Sequence, residues 1–348
     1  MVSVGFSLLA FISLSFSQPL FAPPQNLGPK INSSGGEEDP FLTSDGKKLF
    51  FSAYGRPESA GQEDIWYSEW TDTGWTQAQI LGPQINSGRR EKSPSVSPDG
   101  QKLYYIDAER GGYNWDIWVS TWDSALNDWG TPQNLGPPVN TPGIEYSAHL
   151  SPDGRHLYFS SLIFIPDSLN RCGIHVSEWN GTGWSEPVKF ALNLGFCDGW
   201  EYPSITADSV WFYFEGGVSD GLSSFVSHWN GSLWETPTDL RPQIGERSAG
   251  TFITSSGDTL FYFSGGELGG FGGTDIFFSL RAVLGDLNWD GQLTAADVVL
   301  ELNAVFLNEN FPAPFETADG NCDGQLGPSD VVLLLNATFA GKPFPCRI

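Results

Sequence analysis

The sequence predicts an all-β body of five four-stranded blades arranged as a five-bladed β-propeller, followed by a small all-α domain. One hairpin unit recurs five times: PFLTSDGKKLFFS from Pro40, EKSPSVSPDGQKLYYID from Glu91, AHLSPDGRHLYFS from Ala148, PSITADSVWFYFE from Pro203 and TFITSSGDTLFYF from Thr251. Its turn residues Asp45, Asp99, Asp153, Asp208 and Ser256 stand at steps of 54, 54, 55 and 48 residues. A near-constant step of that size, with several short strands in each, is the signature of propeller blades. The composition agrees, since 14 Trp, 41 Gly and 24 Pro in 348 residues favour a turn-rich β body. After Leu284 the pattern changes abruptly into a doubled loop-and-helix unit.

In chain order, residues 1–17 read as a signal peptide. Val2 to Ser17 is an apolar run too short and too Ser-rich for a membrane span, and it ends in small residues before Gln18. Its beginning lacks Lys and Arg, and a buried first strand is the alternative. A signal peptide implies a secreted chain, extracellular or at the bacterial cell surface or periplasm. No segment of the mature chain is apolar for long enough to span a membrane. The formal net charge of −24, with 17 scattered basic residues, argues against a nucleic-acid partner, because phosphate binding needs clustered Lys and Arg.

Residues 23–281 hold the blades. Each adds to its hairpin a third strand, seen as Asp64 to Trp70, Asp116 to Trp122, Gly173 to Trp179, Ser224 to Trp229 and Asp275 to Leu280. A fourth strand opens with Trp75, Trp129, Trp184 or Trp234, usually with a Pro three residues on. The fifth unit lacks it, and its counterpart lies at the other end: PPQNLGPKINS from Pro23 matches PQNLGPPVN from Pro132. The N-terminal stretch is therefore expected to complete the last blade, which ties the ring shut and removes exposed strand edges.

The SPDG-x-x-LYF hairpin followed by DIW and W-x-x-P-x-x-LG resembles the WD40-like, TolB-type propeller repeats of bacterial envelope and secreted proteins. The resemblance covers about three quarters of the chain. It implies a fold and not a function, because such repeats occur in scaffolds, binding modules and some enzymes.

Within each unit, Leu42, Val96, Leu150, Ile205 and Ile253 are expected to pack between strands or blades. The repeated Trp are expected to be blade packing, and the Asp of DIW to cap local amides. The alternate face of the inner strand is expected to line the central channel. It carries Phe41, Ser95, His149, Ser204 and Phe252, and two residues earlier Asp39, Ser93, Ser147, Tyr202 and Gly250. Where the inner strand begins, Glu37, Glu91 and Glu145 stand in register and Glu201 is one residue off. Carboxylates entering a ring at one level suit a cation or the hydroxyls of a glycan, with Asp39, Ser93 and His149 deeper and Tyr202 as a stacking surface. The alternative is that each Glu serves its own repeat. Glycoside hydrolysis needs two differentiated carboxyl groups at roughly 5 to 9.5 Å; no blade reads as carrying a carboxylate in a distinct context, so no catalytic residue is assigned.

Residues 285–348 form the second domain. Asp286, Asn288, Asp290, Gln292, Thr294 and Asp297 occupy positions 1, 3, 5, 7, 9 and 12 of a calcium loop, with Gly291 at the sharp turn, before a helix bearing Val298, Leu302, Val305 and Phe306 on one face. Thirty-three residues later the pattern returns as Asp319, Asn321, Asp323, Gly324, Gln325 and Asp330, then Val331, Leu335 and Phe339. The pair resembles a type I dockerin, the calcium-folded module that docks onto cohesins in polysaccharide-degrading complexes. The resemblance implies two Ca2+ ions, Gln292 and Gln325 acting through backbone carbonyls, and a cohesin-like or other surface partner. The partner-reading positions differ from the family pattern, with Ala295-Ala296 and Pro328-Ser329 where a Ser-Thr pair is usual.

The four Cys fall two per domain. In an exported chain, Cys172 with Cys197 and Cys322 with Cys346 are expected as local disulfides. Three functions fit the whole: a secreted, calcium-dependent propeller binding a glycan or protein; a polysaccharide-degrading glycoside hydrolase delivered by its docking module; and a structural cell-surface protein.

Overall fold

The computed structural model describes residues 19–345 apart from 109–114, 163–172, 193–200, 219–220, 267, 290–291, 308–309 and 311. The expected signal peptide, Cys172, Cys197, Cys346, Asp290 and the Glu201 side chain lie outside the described residues. The chain divides into two compact units, Phe21–Arg281 and a second built on Ala282–Ile348.

The first unit is five antiparallel sheets, each in simple up-and-down order. Their inner strands are Gly36–Leu42, Arg90–Val96, Ile144–Leu150, Glu201–Ile205 and Ser248–Ile253. A tight turn leads each to its second strand. Thr43 Oγ1 donates to Asp45 Oδ1 at 2.6 Å, Lys47 N donates to the same oxygen at 3.0 Å, and Ser97, Asp99 and Gln101 repeat the device. Those hydroxyl bonds stabilise the ionised carboxylates and lower the pKa values of Asp45 and Asp99.

Ring closure occurs as the repeat predicts. Gln25–Asn26 pairs with the third strand of the last blade, Gln25 opposite Phe278 and Asn26 opposite Phe277. Asn32 extends the pairing through its side chain: Ile276 N donates to its Oδ1 at 2.8 Å and its Nδ2 donates to Ile276 O at 3.0 Å. Asn86 does the same to Ile65 and Asn140 to Ile117. The side-chain amide thus stands in for a strand where the outer chain has turned away.

Two details depart from simple alternation. The fourth strand is two short pieces: the Trp pairs bridge first, as Trp70 with Trp75 and Trp179 with Trp184, and a second piece such as Gln79–Ile80 or Val188–Lys189 pairs farther along. Between the pieces sits Pro132, Pro187 or Pro237, which has no N–H for the ladder. Every inner strand also carries a bulge, and the residue inside it has a left-handed backbone: Asp39 (φ 52°), Ser93 (51°), Ser147 (54°), Tyr202 (52°) and Gly250 (60°).

The core lies between strands and between neighbouring blades. Val96, Leu150, Ile205 and Ile253 are buried as expected, and Leu42, packed against the cluster that holds Val96, is only partly covered. Asp64 and Asp275 cap local amides, accepting from Ala60 N at 3.0 Å and Phe271 N at 2.7 Å.

In the second unit, helices Ala295–Leu307 and Pro328–Ala340 follow the two loops, and Leu287, Val298, Ala313, Ala318 and Leu334 form its core. The expected apolar faces are only partly inward. Val298 and Val331 are buried, but Leu302, Phe306, Leu335 and Phe339 are exposed, and the inward positions one residue earlier in the turn are Glu301 and Leu334. Among the described residues no helix is long and apolar enough to cross a membrane.

Candidate functional site

The channel is closed at one level by three rings. Phe41, His149 and Phe252 come from the first, third and fifth blades, with centroids 4.8 to 5.9 Å apart. The two intervening blades contribute hydroxyls that are already used: Ser95 Oγ accepts from Leu150 N at 3.1 Å and Ser204 Oγ from Ile253 N at 3.0 Å. Burial pushes the His149 imidazole down to about 3, so it is a neutral member of the plug and not a base near pH 7.

On the strand-start side of the plug lies a hole of about 40 Å3, bounded by the bulge residues Asp39, Ser93, Ser147, Tyr202 and Gly250. The bulge explains this convergence, because a left-handed residue turns the strand edge toward the axis in all five blades. Asp39 Oδ1, Ser147 Oγ and Thr251 Oγ1 are buried there without a hydrogen-bond partner. A polar hole of that size suits a water molecule, which occupies about 30 Å3 in the liquid, or a bare cation. It is too small for a sugar ring. On the hairpin-turn side the same rings floor a cavity of about 230 Å3.

The structure brings Asp39, Ser93, His149 and Tyr202 to the channel, as the sequence suggests, but not the glutamates. Glu37, Glu91 and Glu145 are fully buried, and none lines the hole. Each instead accepts from the turn before its strand. Glu37 takes Ser33 N at 2.9 Å and Ser33 Oγ at 2.6 Å, Glu145 takes Thr141 N at 3.0 Å and Thr141 Oγ1 at 2.5 Å, and Glu91 takes Ser87 Oγ. A hydroxyl four residues earlier in the chain is the reason for their register: the carboxylate ties down the turn. Burial pushes Glu91 up to about 7 and raises Glu145.

Sequence reasoning missed a group at the first blade. Lys92 Nζ lies 3.7 Å from Asp39 Oδ2 and 3.4 Å from Glu63 Oε1, and burial, followed by the Asp39 charge, pushes neighbouring Glu38 up to about 7. Burial also raises Glu63. The expectation that no blade carries carboxylates in a distinct context is therefore corrected. Where the first blade has Glu38-Asp39, the others have Lys92-Ser93, Tyr146-Ser147, Glu201-Tyr202 and Ala249-Gly250, so only the first sets two carboxylates side by side there. Comparing blades column by column, and not only for what recurs, was the signal that would have found them.

In the second unit the loops share one backbone device, a left-handed fourth position at Trp289 (φ 62°) and Cys322 (φ 56°). The loop-closing carboxylates also match. Asp297 accepts from Leu287 N at 2.9 Å and Thr294 N at 2.8 Å, and Asp330 from Asn321 N at 3.2 Å and Gly327 N at 2.9 Å. In the second loop Asp319 accepts from Asp323 N and Gly324 N, and Asp323 from Gln325 N. Among the described residues no three His, Cys, Asp or Glu gather as a metal cluster. The donor set nonetheless fits a hard cation: side-chain oxygens with acceptor capacity left, an Asn and a backbone carbonyl. Asp286, Asp297, Asp319 and Asp330 are all buried, and from Ala282 to Gly341 there are nine carboxylates and no Lys, Arg or His.

No protein-family model matches the chain, and no curated protein does. Among solved structures, a thermostable family-43 glycoside hydrolase is similar at 16% identity and a TM-score of 0.50, over 74% of this chain and 92% of that one. The α-L-arabinofuranosidase of Podospora anserina, in complex with cellotriose, gives 15% identity and a TM-score of 0.49 over 76% and 96% of the two chains. TolB from Acinetobacter baumannii gives 16% and 0.46 over 71% of this chain, which spans about half (54%) of that one. At such identities the first likeness speaks for the five-bladed fold alone.

Proposed function

We propose that the chain is an exported binding protein: a propeller that holds a carbohydrate or protein ligand, joined to a calcium-folded, dockerin-like docking module. The observation that carries the binding reading is the plugged channel. Its hole of about 40 Å3 beside the Phe41, His149 and Phe252 rings leaves no room for a glycosidic bond between two carboxyl groups.

The module reading rests on the duplicated loops and their uncompensated carboxylates. Asp286, Asn288, the Gln292 carbonyl, Thr294 and Asp297, with Asp290, are the residues of the first loop for Ca2+; Asp319, Asn321, Asp323, the Gln325 carbonyl and Asp330 are those of the second. The ion supplies the positive charge that the loops and helices from Ala282 to Gly341 lack. Docking is supported by an apolar face presented twice. Val299 and Val332 are each 54% exposed, Leu302 and Leu335 37% and 38%, and Phe306 and Phe339 61% and 67%, every pair 33 residues apart. A cohesin-like or other surface protein is the partner this face suits. Within the module, Cys346 is the proposed partner of Cys322.

Calorimetry of the full chain is expected to give two bound Ca2+, one lost in Asp290→Ala and another in Asp323→Ala. A wild-type chain that binds no calcium defeats the module reading. A second reading, a glycoside hydrolase, has the Glu38, Asp39, Glu63 and Lys92 group in its favour, because a carboxyl raised to about 7 by burial and by a neighbouring carboxylate is suited to acid catalysis. Hydrolysis of any polysaccharide, abolished in Glu38→Gln, would replace the first reading with this one.

A further inference from the structure

We propose that the cleft between the first and second blades is the propeller's glycan site, and that it takes neutral, hydroxyl-rich sugar rings of an oligosaccharide chain. The inference rests on the binding reading above and names its site.

The cleft has a volume of about 800 Å3, within the roughly 300–1,000 Å3 typical of small-ligand sites. The second blade brings to it a turn longer than its fellows have. Trp122 and Trp129 are seven residues apart, whereas Trp70 and Trp75, Trp179 and Trp184, and Trp229 and Trp234 are five apart. The two added residues lengthen the turn, in which Asn127 has a left-handed backbone (φ 51°), and Asn127 and Asp128 line one side of the cleft. Gly82 lines it too, and there a Cβ would come within 2.8 Å of Asp128 Oδ2, so glycine leaves that carboxylate its place.

Tyr67, Trp70 and Trp122 supply the aromatic surface, with Trp129 buried beneath it. Trp pairs recur in other blades and Lys102 covers Trp179 at 5.1 Å, so stacked Trp alone is blade architecture. The charge pattern decides the ligand. Lys48 Nζ lies 5.4 Å from the Tyr67 ring, 5.9 Å from the Trp122 ring and 3.0 Å from Glu69 Oε1, so the protein's own cation already takes the cation-binding position. Around it the cleft carries Asp45, Glu69, Asp99 and Asp128 against Lys47 and Lys48. That balance disfavours phosphates and uronates. A neutral pyranose or furanose satisfies both remaining features, laying its C–H face on an aromatic ring and donating hydroxyls to carboxylates.

The test uses the full chain, with cellohexaose, xylohexaose and mannohexaose as neutral probes and tetragalacturonate as the anionic one, read by calorimetry and Trp fluorescence, beside a glycan array. At least one neutral probe is expected to bind and tetragalacturonate not to. Trp70→Ala, Trp122→Ala and removal of Ala125 with Leu126 should each weaken binding at least tenfold. Trp70 is 54% exposed, so its variant keeps the fold and decides the matter if Trp122→Ala does not fold. Absence of binding to all three neutral probes overturns the proposal, as does wild-type affinity in Trp70→Ala and the shortened turn. Binding elsewhere on the array then leaves the carbohydrate-binding reading standing without this site, whereas a blank array removes both the site and the carbohydrate half of that reading and leaves a protein ligand.

Discussion

Single residues in this propeller act through backbone conformation and burial. The bulge column runs from Asp39 to Gly250, and its left-handed geometry is visible in the sequence only at its last member. A Cβ on Gly250 would lie 2.3 Å from the Phe263 ring, so glycine is required there. The other four positions hold Asp, Ser, Ser and Tyr, which do not announce positive φ, and strand alternation alone misplaces what lies before the bulge. The glutamates are a case in point: their recurrence was legible, but whether they face the channel or their own turn depends on that hidden bulge. Glu91 gives a direct check. Its folded pKa, about 7, lies above the ordinary 4.5, so the folded state holds the proton more tightly and loses stability as pH rises from about 4.5 through 7. Glu91→Gln removes this ionisation. The variant is expected to show a smaller fall in Tm between pH 5 and pH 8 than the wild type, in a domain where each kcal/mol moves Tm by about 2–4 °C. Equal slopes in the two proteins would show that Glu91 does not titrate in this window.

At the scale of elements, the strand borrowed from the N-terminus determines whether the ring closes. Phe21 and Ile31 are buried at 4% and 0%, and burial of such side chains contributes roughly 1.5–3 kcal/mol each. Deleting the residues before Ser33 is expected to lower the melting temperature by more than 10 °C. Asn32→Ala is the finer probe, since it strips a partner from the buried Ile276 N–H and should cost about 1–3 kcal/mol. Asn86→Ala and Asn140→Ala should cost similarly, because they make the same two bonds. Unchanged melting in the truncated chain would mean that the last blade is stable without its fourth strand. The N-terminal match PQNLGP made this closure legible. The split outer strands were less so, because bridges of one or two residues leave no periodicity, and the helix stripe misled because an outward apolar face has the same spacing as an inward one.

The whole molecule joins a unit rich in core to one poor in it. The second unit buries Leu287, Val298, Ala313, Ala318 and Leu334 alongside five carboxylates, Asp286, Asp297, Glu301, Asp319 and Asp330, so its folding should depend on calcium while that of the propeller does not. Scanning calorimetry is expected to show two transitions with calcium and, in chelator, loss of the one belonging to residues 282–348 alone. A single transition unmoved by chelator would contradict this. The sequence by itself determined the number of blades, the strand that closes the ring, the duplicated loops and the acidic character, because each is written in local spacing or repetition. Only the tertiary structure decided that the channel is plugged, that its glutamates serve their own turns, and that Glu38, Asp39, Glu63 and Lys92 meet. Those facts arise where residues distant in sequence converge, and a repeat records what its copies share and not what one copy does differently.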